Sequence, residues 1–461
     1  MFVSLAVLTP NSLLLLAAVS IVALVLLIAR FKLNAIVAIT LISLLLGLGA
    51  GMEPAKVAES FGAGIAKTMG QLAMIIGLGT MLGKMLAESG GANVVASGVV
   101  RFFGAKRVDY AVMVAAFVIG VSVFFQVGLL LLGPIVYALA RETKMPILRI
   151  GLPLAAGLST AHGLIPPHPG PLAAISTLGA DIGKTIMWSL FVVGPPVALV
   201  TGPLLARWVT PGVVPANAGL GESASAKPSA PNPPGFTLSL FTILLPVLLM
   251  LVGTVAELLW PAKQIGAGTW QANVHTWADF IGNATVAMLI AVLFSFWSFG
   301  FARGLTRHQI LRFSEDCLAP AAGVLLVISA GGGFSMVLNA SGVGNALADV
   351  GKNMHMSPLL LGWLIAGMLR VAVGSATVSV QTAAGIMLPL VQADPHINKE
   401  LLVLSMGAGS LLLSHVNDGG FWLVKEYFGM DIPQTLKTWT IVETGIAVMS
   451  ITLILIVNAV I

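Results

Sequence analysis

The sequence is poor in charged residues and in cysteine. Asp, Glu, Lys and Arg make up only 9% of its 461 residues, against roughly 25% in soluble domains, whereas 57% are hydrophobic and the mean hydropathy is +0.99. This composition excludes a soluble globular protein and predicts an integral membrane protein in contact with the lipid bilayer. The single cysteine, Cys317, excludes an internal disulfide and a cysteine-based metal site. The net charge of +5 comes mostly from loop lysines and arginines, so we expect no nucleic-acid partner.

Strand-period alternation is also missing, so helices rather than a barrel must satisfy the backbone in lipid. In its place, apolar runs close to the ~20 residues of a membrane-crossing helix recur along the chain. We therefore predict an all-α polytopic membrane protein. The first run has no basic stretch before it and is followed by ARFK, which predicts a retained helix and not a cleaved signal. The runs cover residues 13–29, 33–50, 71–87, 188–205, 238–259, 280–299, 320–338 and 442–461.

A run rich in Pro, Ala, Ser and Gly, residues 210–236, divides the chain into two halves and predicts a flexible linker. Polar residues recur in the same order in both halves. Chance alignment of apolar residues would not place polar pairs in a fixed order, so we predict two repeats, residues 1–209 and 237–461. The matched pairs include Gln126 with Gln381, Pro134 with Pro389, His162 with His415 and Asp181 with Asp431.

The distribution of basic residues predicts that the second repeat is inverted. Each half holds three crossings, a segment between basic loops, a broken crossing and one more crossing, and this odd number turns the second copy upside down. Fifteen of the 23 Lys and Arg residues then lie on the side of Arg30 and Lys32, the predicted cytoplasmic side, and six on the other. The linker is then cytoplasmic and both termini are periplasmic. Inverted repeats are typical of secondary transporters.

Each half contains a predicted re-entrant hairpin. Residues 109–140 lie between the basic sequences AKR and RETK, so we expect them to enter and leave the membrane on one face. Residues 358–392 would form the matching hairpin from the opposite face. One long tilted helix is the alternative in each case, but it would be inconsistent with the assignment of the basic loops to one side of the membrane.

Each half also contains a predicted broken helix, over residues 148–177 and 401–427. The first includes GLSTAHGLIPPHPGP, from Gly157 to Pro171, whose four prolines and three glycines interrupt any helix. A break in a membrane helix is tolerated only where its backbone groups are buried in protein or face water, and the new helix ends suit an anion. We expect the two tips and two breaks to meet near the midplane and to bind a small carboxylate.

Three stretches, GLSTAHGLIPPHPGP, RVAVGSATVSVQTAAG and SHVNDGGFWLVKEYFGM, resemble the signature stretches of the gluconate permease (GntP) family. The resemblance covers essentially the whole chain. It implies a bacterial inner-membrane carrier of the ion transporter superfamily, with gluconate or a related small hydroxy acid as substrate and protons as the usual coupling ion. It also implies a homodimer in which a mobile domain with two hairpins moves against a scaffold. The related dicarboxylate carriers have Ser-Asn-Thr at both tips, which SVFFQVG and GSATVS do not match, so sodium coupling is less expected.

Candidate substrate-binding residues lie at the tips and breaks. Hydroxyl and amide groups there would hydrogen-bond a sugar acid and reject analogues that lack its hydroxyls, although small residues also permit close helix packing. Arg370 has three interpretations, a bidentate clamp on a carboxylate, an anchor of the hairpin on a carbonyl, or a side chain that snorkels to the membrane surface. The candidates are Gln126, Ser159, Thr160, His162, Gly163, Arg370, Ser375, Thr377, Ser379, Gln381, His415 and Asn417.

Asp418, His162 and His415 are the candidates for carrying the coupling proton. A carboxylate at membrane depth is more often functional than not, and histidine changes charge most easily near neutral pH. The alternatives are an ordinary turn at NDGG and core histidines that bond freed carbonyls. Glu443, in the last crossing, is interpreted as a helix-end or packing residue with coupling as the alternative, and His168 as a loop residue.

These observations predict a secondary active transporter that takes up gluconate or a similar small hydroxy-monocarboxylate together with protons, without a cofactor. The alternatives within transport are sodium coupling and another small substrate such as D-serine or glycerate. The alternative of a different class is a membrane enzyme with a metal at His162 and His168. The sequence HGLIPPH lacks the helical i, i+4 spacing of metal ligands, so we predict neither catalytic residues nor metal ligands.

Overall fold

The structure, a computed structural model, describes residues 9–215, 232–260, 269–343, 356–416 and 418–461. The described residues form helices joined by short turns and contain nine helices long and apolar enough to cross a membrane. The all-α polytopic class predicted from the sequence is therefore confirmed. Most of the linker, residues 216–231, and the candidate Asn417 lie outside the described residues.

Helices of the first half fill residues 10–209. In chain order they are α1 (Pro10–Ala29), α2 (Ala35–Gly49), α3 (Pro54–Glu88), α4 (Gly91–Phe103), α5 (Val108–Gly120), α6 (Phe125–Thr143), α7 (Ile147–Leu164), α8 (Pro169–Leu178) and α9 (Ile182–Val209). Wide π turns interrupt α9 next to Pro195, Pro196 and Pro203, because a proline inside a helix removes one backbone donor and displaces the neighbouring turn.

The second half contains ten helices within the described ranges. They are α10 (Phe236–Leu259), α11 (Trp270–Gly282), α12 (Ala284–Arg303), α13 (Arg307–Asp316), α14 (Leu318–Ala340), α15 (Pro358–Val373), α16 (Ala376–Ala393), α17 (Lys399–Gly409), α18 (Gly419–Phe428) and α19 (Ile432–Val460). The pair α15–α16 corresponds to α5–α6, and the interrupted pair α17–α18 to α7–α8. Hydropathy missed α11, because His275, Asp279 and other polar residues interrupt its apolar face.

Backbone chemistry explains where the interrupted helices stop and restart. Helix α7 ends at Leu164 because Ile165 precedes two prolines and takes an extended conformation. Helix α8 restarts at Pro169, whose fixed φ suits the first helical position. In the second half, α18 restarts after Asp418, whose carboxylate accepts the Gly420 N–H at 2.8 Å. Between α15 and α16, Gly374 has φ +76°, the left-handed region that glycine enters without strain.

The two interrupted helices cross at positions where each has a glycine. A Cβ on Gly407 of α17 would lie 2.4 Å from the carbonyl oxygen of Gly163 on α7. A Cβ on Gly163 would in turn meet Leu411 at 2.6 Å. Helices α3 and α14 also pack closely through glycines, since a Cβ on Gly64 would lie 2.4 Å from the Gly332 carbonyl oxygen. Close crossing at glycines brings the α7–α8 and α17–α18 breaks together at the centre of the molecule.

The base of the first hairpin is tied by charge to its neighbours. Asp109, at the start of α5, is 1% exposed and accepts the Nη2–H of Arg207 on α9 at 2.9 Å. Arg149 of α7 lies 4.0 Å from the same carboxylate. The hairpin base is thus held while the turn at residues 121–124 reaches the centre. The domain boundaries predicted from the sequence remain a prediction.

Candidate substrate-binding site

A cavity of about 230 Å³ lies where the hairpin tips, the breaks and the last helix meet. Pockets for drug-sized ligands span about 300–1,000 Å³, so this cavity suits a smaller molecule. Six helices contribute to it, together with the residues before α16 and α18 and one residue after α17. The lining consists of Phe125, Gln126, Ser159, His162, Arg370, Gly374, Ser375, Ala376, Thr377, Leu411, Asp418, Gly419, Gly420, Trp439 and Glu443.

Three helix N-termini point their first residues at this cavity. Phe125 and Gln126 begin α6, Ala376 and Thr377 begin α16, and Gly419 with Gly420 begins α18. The first N–H groups of a helix have no partner within it and carry a partial positive charge. A cavity that receives three such ends is therefore suited to an anionic group such as a carboxylate.

Arg370 is buried at the cavity wall and serves the second hairpin directly. Its Nη1–H donates to the carbonyl oxygen of Gly374 at 2.6 Å, so the guanidinium covers the end of α15 and anchors the tip. Its Nη2–H donates to the carboxylate of Asp418. Since a guanidinium has five N–H donors, these two partners do not exhaust it. The anchoring interpretation of Arg370 is therefore seen in the structure, and its position leaves the carboxylate-binding interpretation available.

Asp418 is held by three hydrogen bonds. Besides the Arg370 guanidinium, its carboxylate accepts the hydroxyl of Ser414 and the backbone N–H of Gly420. Ser414 accepts the indole N–H of Trp439 at 3.0 Å. The carboxylate is thus the N-cap of α18 and the counter-ion of Arg370 at once.

Glu443 of α19 is the second carboxyl group in the cavity, and it is less well satisfied. It is 1% exposed, and Oε1 accepts the hydroxyl of Ser159 on α7. Its Oε2 has no hydrogen-bond partner among the residues that the structure describes. A buried polar atom without a partner is rare and calls for an explanation.

His162 and His168 form a pair beside the cavity. The Nε2 of His168 bonds the carbonyl oxygen of Gly120, an acceptor only, so Nε2 carries the hydrogen. The Nδ1 of a neutral His168 is then an acceptor for the Nδ1–H of His162, 3.3 Å away. This leaves Nε2 of His162, the cavity residue, as a bare acceptor for a hydroxyl.

Several residues predicted to bind substrate do not line the cavity. Gly163 serves the helix crossing. Thr160 is completely buried, and its hydroxyl lacks a partner in the described part of the chain. The side chains of Ser379, Gln381 and His415 bond Ser375 O at 2.7 Å, Thr177 Oγ1 at 3.2 Å and Val371 O at 2.9 Å respectively.

Position around and along the helices accounts for part of the difference. Thr160 and Gly163 directly follow Ser159 and His162 on α7 and therefore point in other directions, and Gln381 lies more than a turn beyond Thr377 on α16. Sequence reasoning also undervalued Glu443 and His168. Their burial beside the cavity depends on contacts with residues far away in the chain, which local patterns do not show.

A larger cavity, of about 710 Å³, lies between α3, α8, the start of α9 and α10–α12. His275 of α11 pairs there with Glu257 at 2.8 Å and Asp279 at 2.9 Å. The hydrogen bond that the His275 ring donates to the Glu257 carboxylate raises the pKa of His275. Among the described residues that line this cavity, three carboxylates (Asp181, Glu257 and Asp279) face two basic side chains, Lys184 and His275. This cavity therefore suits an anion less well than the smaller one.

The metal-enzyme alternative concerns His162 and His168, whose Nδ1 atoms lie 3.3 Å apart. Within the described ranges, no cluster of three or more His, Cys, Asp and Glu residues is placed to hold a metal ion.

Comparison with known proteins agrees with this architecture. The model of the GntP family permease matches residues 12–460. The gluconate permease of Pseudomonas aeruginosa is 45% identical over 447 residues, which cover 96% of this chain and 97% of that protein. The high-affinity gluconate transporter of Escherichia coli is 40% identical, with 97% and 100% covered. The D-serine transporter DsdX of Escherichia coli is 35% identical, with 92% and 93% covered.

A solved structure has the same overall fold. The YdaH transporter of Alcanivorax borkumensis matches with a TM-score of 0.63 over 92% of this chain and 97% of that one, at 17% identity. The match supports the fold and carries no statement about substrate. The family match over nearly the whole length and the relatives at 40–45% identity establish the family of this chain. The chain belongs to the GntP permease family of multi-pass membrane transporters.

Proposed function

We propose that this protein is a symporter that takes up gluconate, or a similar small hydroxy-monocarboxylate, together with a proton. The observation that carries the proposal is the convergence of three helix N-termini and Arg370 on one small cavity. The names of the relatives at 40–45% identity support gluconate as the first substrate to test.

In this proposal the substrate carboxylate lies against the helix N-termini and the Arg370 guanidinium. The hydroxyls of the sugar acid face Gln126, Ser375 and Thr377, which offer donors and acceptors at the two tips. His162 contributes an acceptor through Nε2. Buried polar groups of this kind are left unpaired by an analogue without hydroxyls, which is the source of discrimination.

The cavity lies within α6, α7 and α15–α19, while α3 and α14 pack against each other through glycines. We propose that the hairpins and broken helices move as one body against a scaffold that includes α3 and α14, and that the protein works as a homodimer. We place it in the bacterial inner membrane, with the linker in the cytoplasm and both termini in the periplasm, on the charge asymmetry of the loops.

Uptake of labelled gluconate into proteoliposomes tests the proposal. Because a gluconate anion plus one proton is electrically neutral, we expect a pH gradient to drive accumulation and a membrane potential alone to have no effect. One pH unit corresponds to about 1.4 kcal/mol and supports up to about tenfold accumulation. Gluconate accumulation driven by a sodium gradient alone would contradict the assignment of the proton as the coupling ion. If gluconate does not accumulate under any gradient but D-serine or glycerate does, the assignment of gluconate as the substrate is wrong.

His168 provides a prediction that follows from the histidine pair. Replacing His168 by leucine frees His162 to change tautomer, so the KM for gluconate uptake should rise by roughly 2–10-fold with a smaller change in maximal rate, as expected for one hydrogen bond. Measured KM and maximal rate check this result. His168→Gln keeps a hydrogen-bond donor and an acceptor, so its KM should rise less than that of His168→Leu. The control is His396→Gln, an exposed residue after α16. An unchanged KM in His168→Leu would contradict the proposal that His168 fixes the tautomer of His162.

A further inference from the structure

We propose that Glu443 is the proton-coupling carboxyl group of this transporter. The proposal rests on the proposed proton symport and assigns its proton to a residue that is neither Asp418 nor a histidine. It is carried by the position of Glu443 in the cavity and by its unpartnered oxygen.

Glu443 lies inside α19, on the turn after Trp439, and forms part of the cavity wall. Ser159 donates its hydroxyl to Oε1, and Oε2 has no partner among the described residues. Burying an unpaired carboxylate is costly, whereas a neutral carboxylic acid at the same place costs far less and offers an O–H donor. The free oxygen is therefore where a proton arriving through the cavity is held.

Two of the three other candidates, Asp418 and His415, are occupied by structural bonds, and the third, His162, offers its Nε2 to a substrate hydroxyl. Asp418 accepts from the Arg370 guanidinium, the Ser414 hydroxyl and the Gly420 N–H, so protonating it would break a buried ion pair and the cap of α18. His415 bonds the Val371 carbonyl and does not line the cavity.

The charges around the cavity explain why proton and substrate must bind together. The groups that face Glu443 from the packed elements are His162 on α7, Arg370 on α15 and Asp418 before α18. Helices α9 and α17 also pack on α19, but α9 has no ionisable side chain between Lys184 and Arg207, and α17 has none after Glu400. With Glu443 ionised, the cavity holds two carboxylates and a single guanidinium, and it repels an anionic substrate. Protonation leaves the Arg370–Asp418 pair, which is neutral as a unit.

This arrangement makes the two ligands mutually dependent. A proton on Glu443 raises the affinity for the anion, and by thermodynamic reciprocity the bound anion raises the affinity for the proton. After the cavity opens to the side of higher pH, loss of the proton restores the repulsion and releases the substrate. No other group needs to change its protonation state.

Glu443→Gln tests the assignment, because glutamine keeps the shape and the hydrogen bond to Ser159 but cannot release a proton. In proteoliposomes, the variant should fail to accumulate gluconate under an imposed gradient of one pH unit, against up to about tenfold for the wild type. It should still exchange external labelled gluconate for internal unlabelled gluconate. Wild-type exchange should slow at alkaline pH, whereas exchange by the variant should not depend on pH.

A second readout follows the proton itself. Gluconate binding to the purified wild-type protein in weakly buffered solution should take up a proton, seen with a pH-sensitive dye, and binding to Glu443→Gln should take up none. Glu315→Gln, an exposed carboxyl on α13, is the matched control and should behave as the wild type in both assays. Proton-driven accumulation by Glu443→Gln at the wild-type level would overturn the assignment.

The design separates this inference from the proposed function. The wild type alone reports whether protons drive uptake, and the comparison of variant with wild type reports whether Glu443 carries them. If Glu443→Gln does not fold, Glu443→Asp keeps a titratable group and should retain proton-driven accumulation. An Asp variant that exchanges but does not accumulate, or a Gln variant that still takes up a proton on binding, would overturn the role of Glu443.

Discussion

Replacing Arg370 by glutamine is expected to abolish gluconate binding and to destabilise the protein by about 3–5 kcal/mol, the cost of leaving a buried charge without its partner. The change leaves the Asp418 carboxylate buried without its counter-ion and removes the donor to the Gly374 carbonyl. It also removes the positive charge against which the substrate carboxylate is proposed to lie. Thermal unfolding in detergent and calorimetric titration with gluconate measure the two effects separately.

A double variant distinguishes stability from binding. Arg370→Gln combined with Asp418→Asn replaces the ion pair by two neutral amides, so much of the lost stability should return while gluconate binding stays absent. The matched control is Arg312→Gln, which removes an exposed ion pair with Asp316 on α13 and should change neither quantity. Wild-type affinity in Arg370→Gln would show that the helix N-termini hold the carboxylate without the guanidinium.

Replacing Gly407 by alanine is expected to remove transport and to lower the thermal midpoint. The new methyl carbon would lie 2.4 Å from the Gly163 carbonyl oxygen, and backbone cannot withdraw as a flexible side chain does. Overpacking of this kind costs typically about 1–3 kcal/mol, and here it displaces both breaks that form the cavity. The yield of monodisperse protein and its thermal midpoint measure the effect.

Gly70→Ala is the control for this substitution. Gly70 lies in α3, and a Cβ there would meet nothing within 4 Å. Alanine in place of an unconstrained helical glycine stabilises by roughly 0.5–1 kcal/mol, so this variant should be at least as stable as the wild type. A Gly407→Ala variant with wild-type stability and transport would show that α7 and α17 cross less closely than the structure indicates.

Local chemistry is why the helices and their interruptions were predictable. Pro166 and Pro167 prevent α7 from continuing, and Gly374 supplies the positive φ at the second tip. The scarcity of charge and the absence of strand alternation required membrane helices before any packing was known. Such signals act within a few residues, so a single sequence is enough to reveal them.

The membership of the site was predictable only in part. Gln126, Ser159, His162, Arg370, Ser375, Thr377 and Asp418 were expected and line the cavity. Gln381 and His415 were expected on repeat symmetry and do not line it, because their partners, Thr177 and Val371, hold them elsewhere. Symmetry of sequence predicts equivalent positions, but it does not predict equivalent neighbours.

The amino-acid sequence by itself determined the membrane class, the four interruptions and the family resemblance, because each depends on composition or on neighbours along the chain. Only the tertiary structure decided which polar groups share the cavity and which are occupied. Ser159 and Glu443 are 284 positions apart, and Arg370 and Asp418 are 48 apart. Whether a buried carboxyl is paired or free is a property of such distant contacts, and it is what separates Asp418 from Glu443.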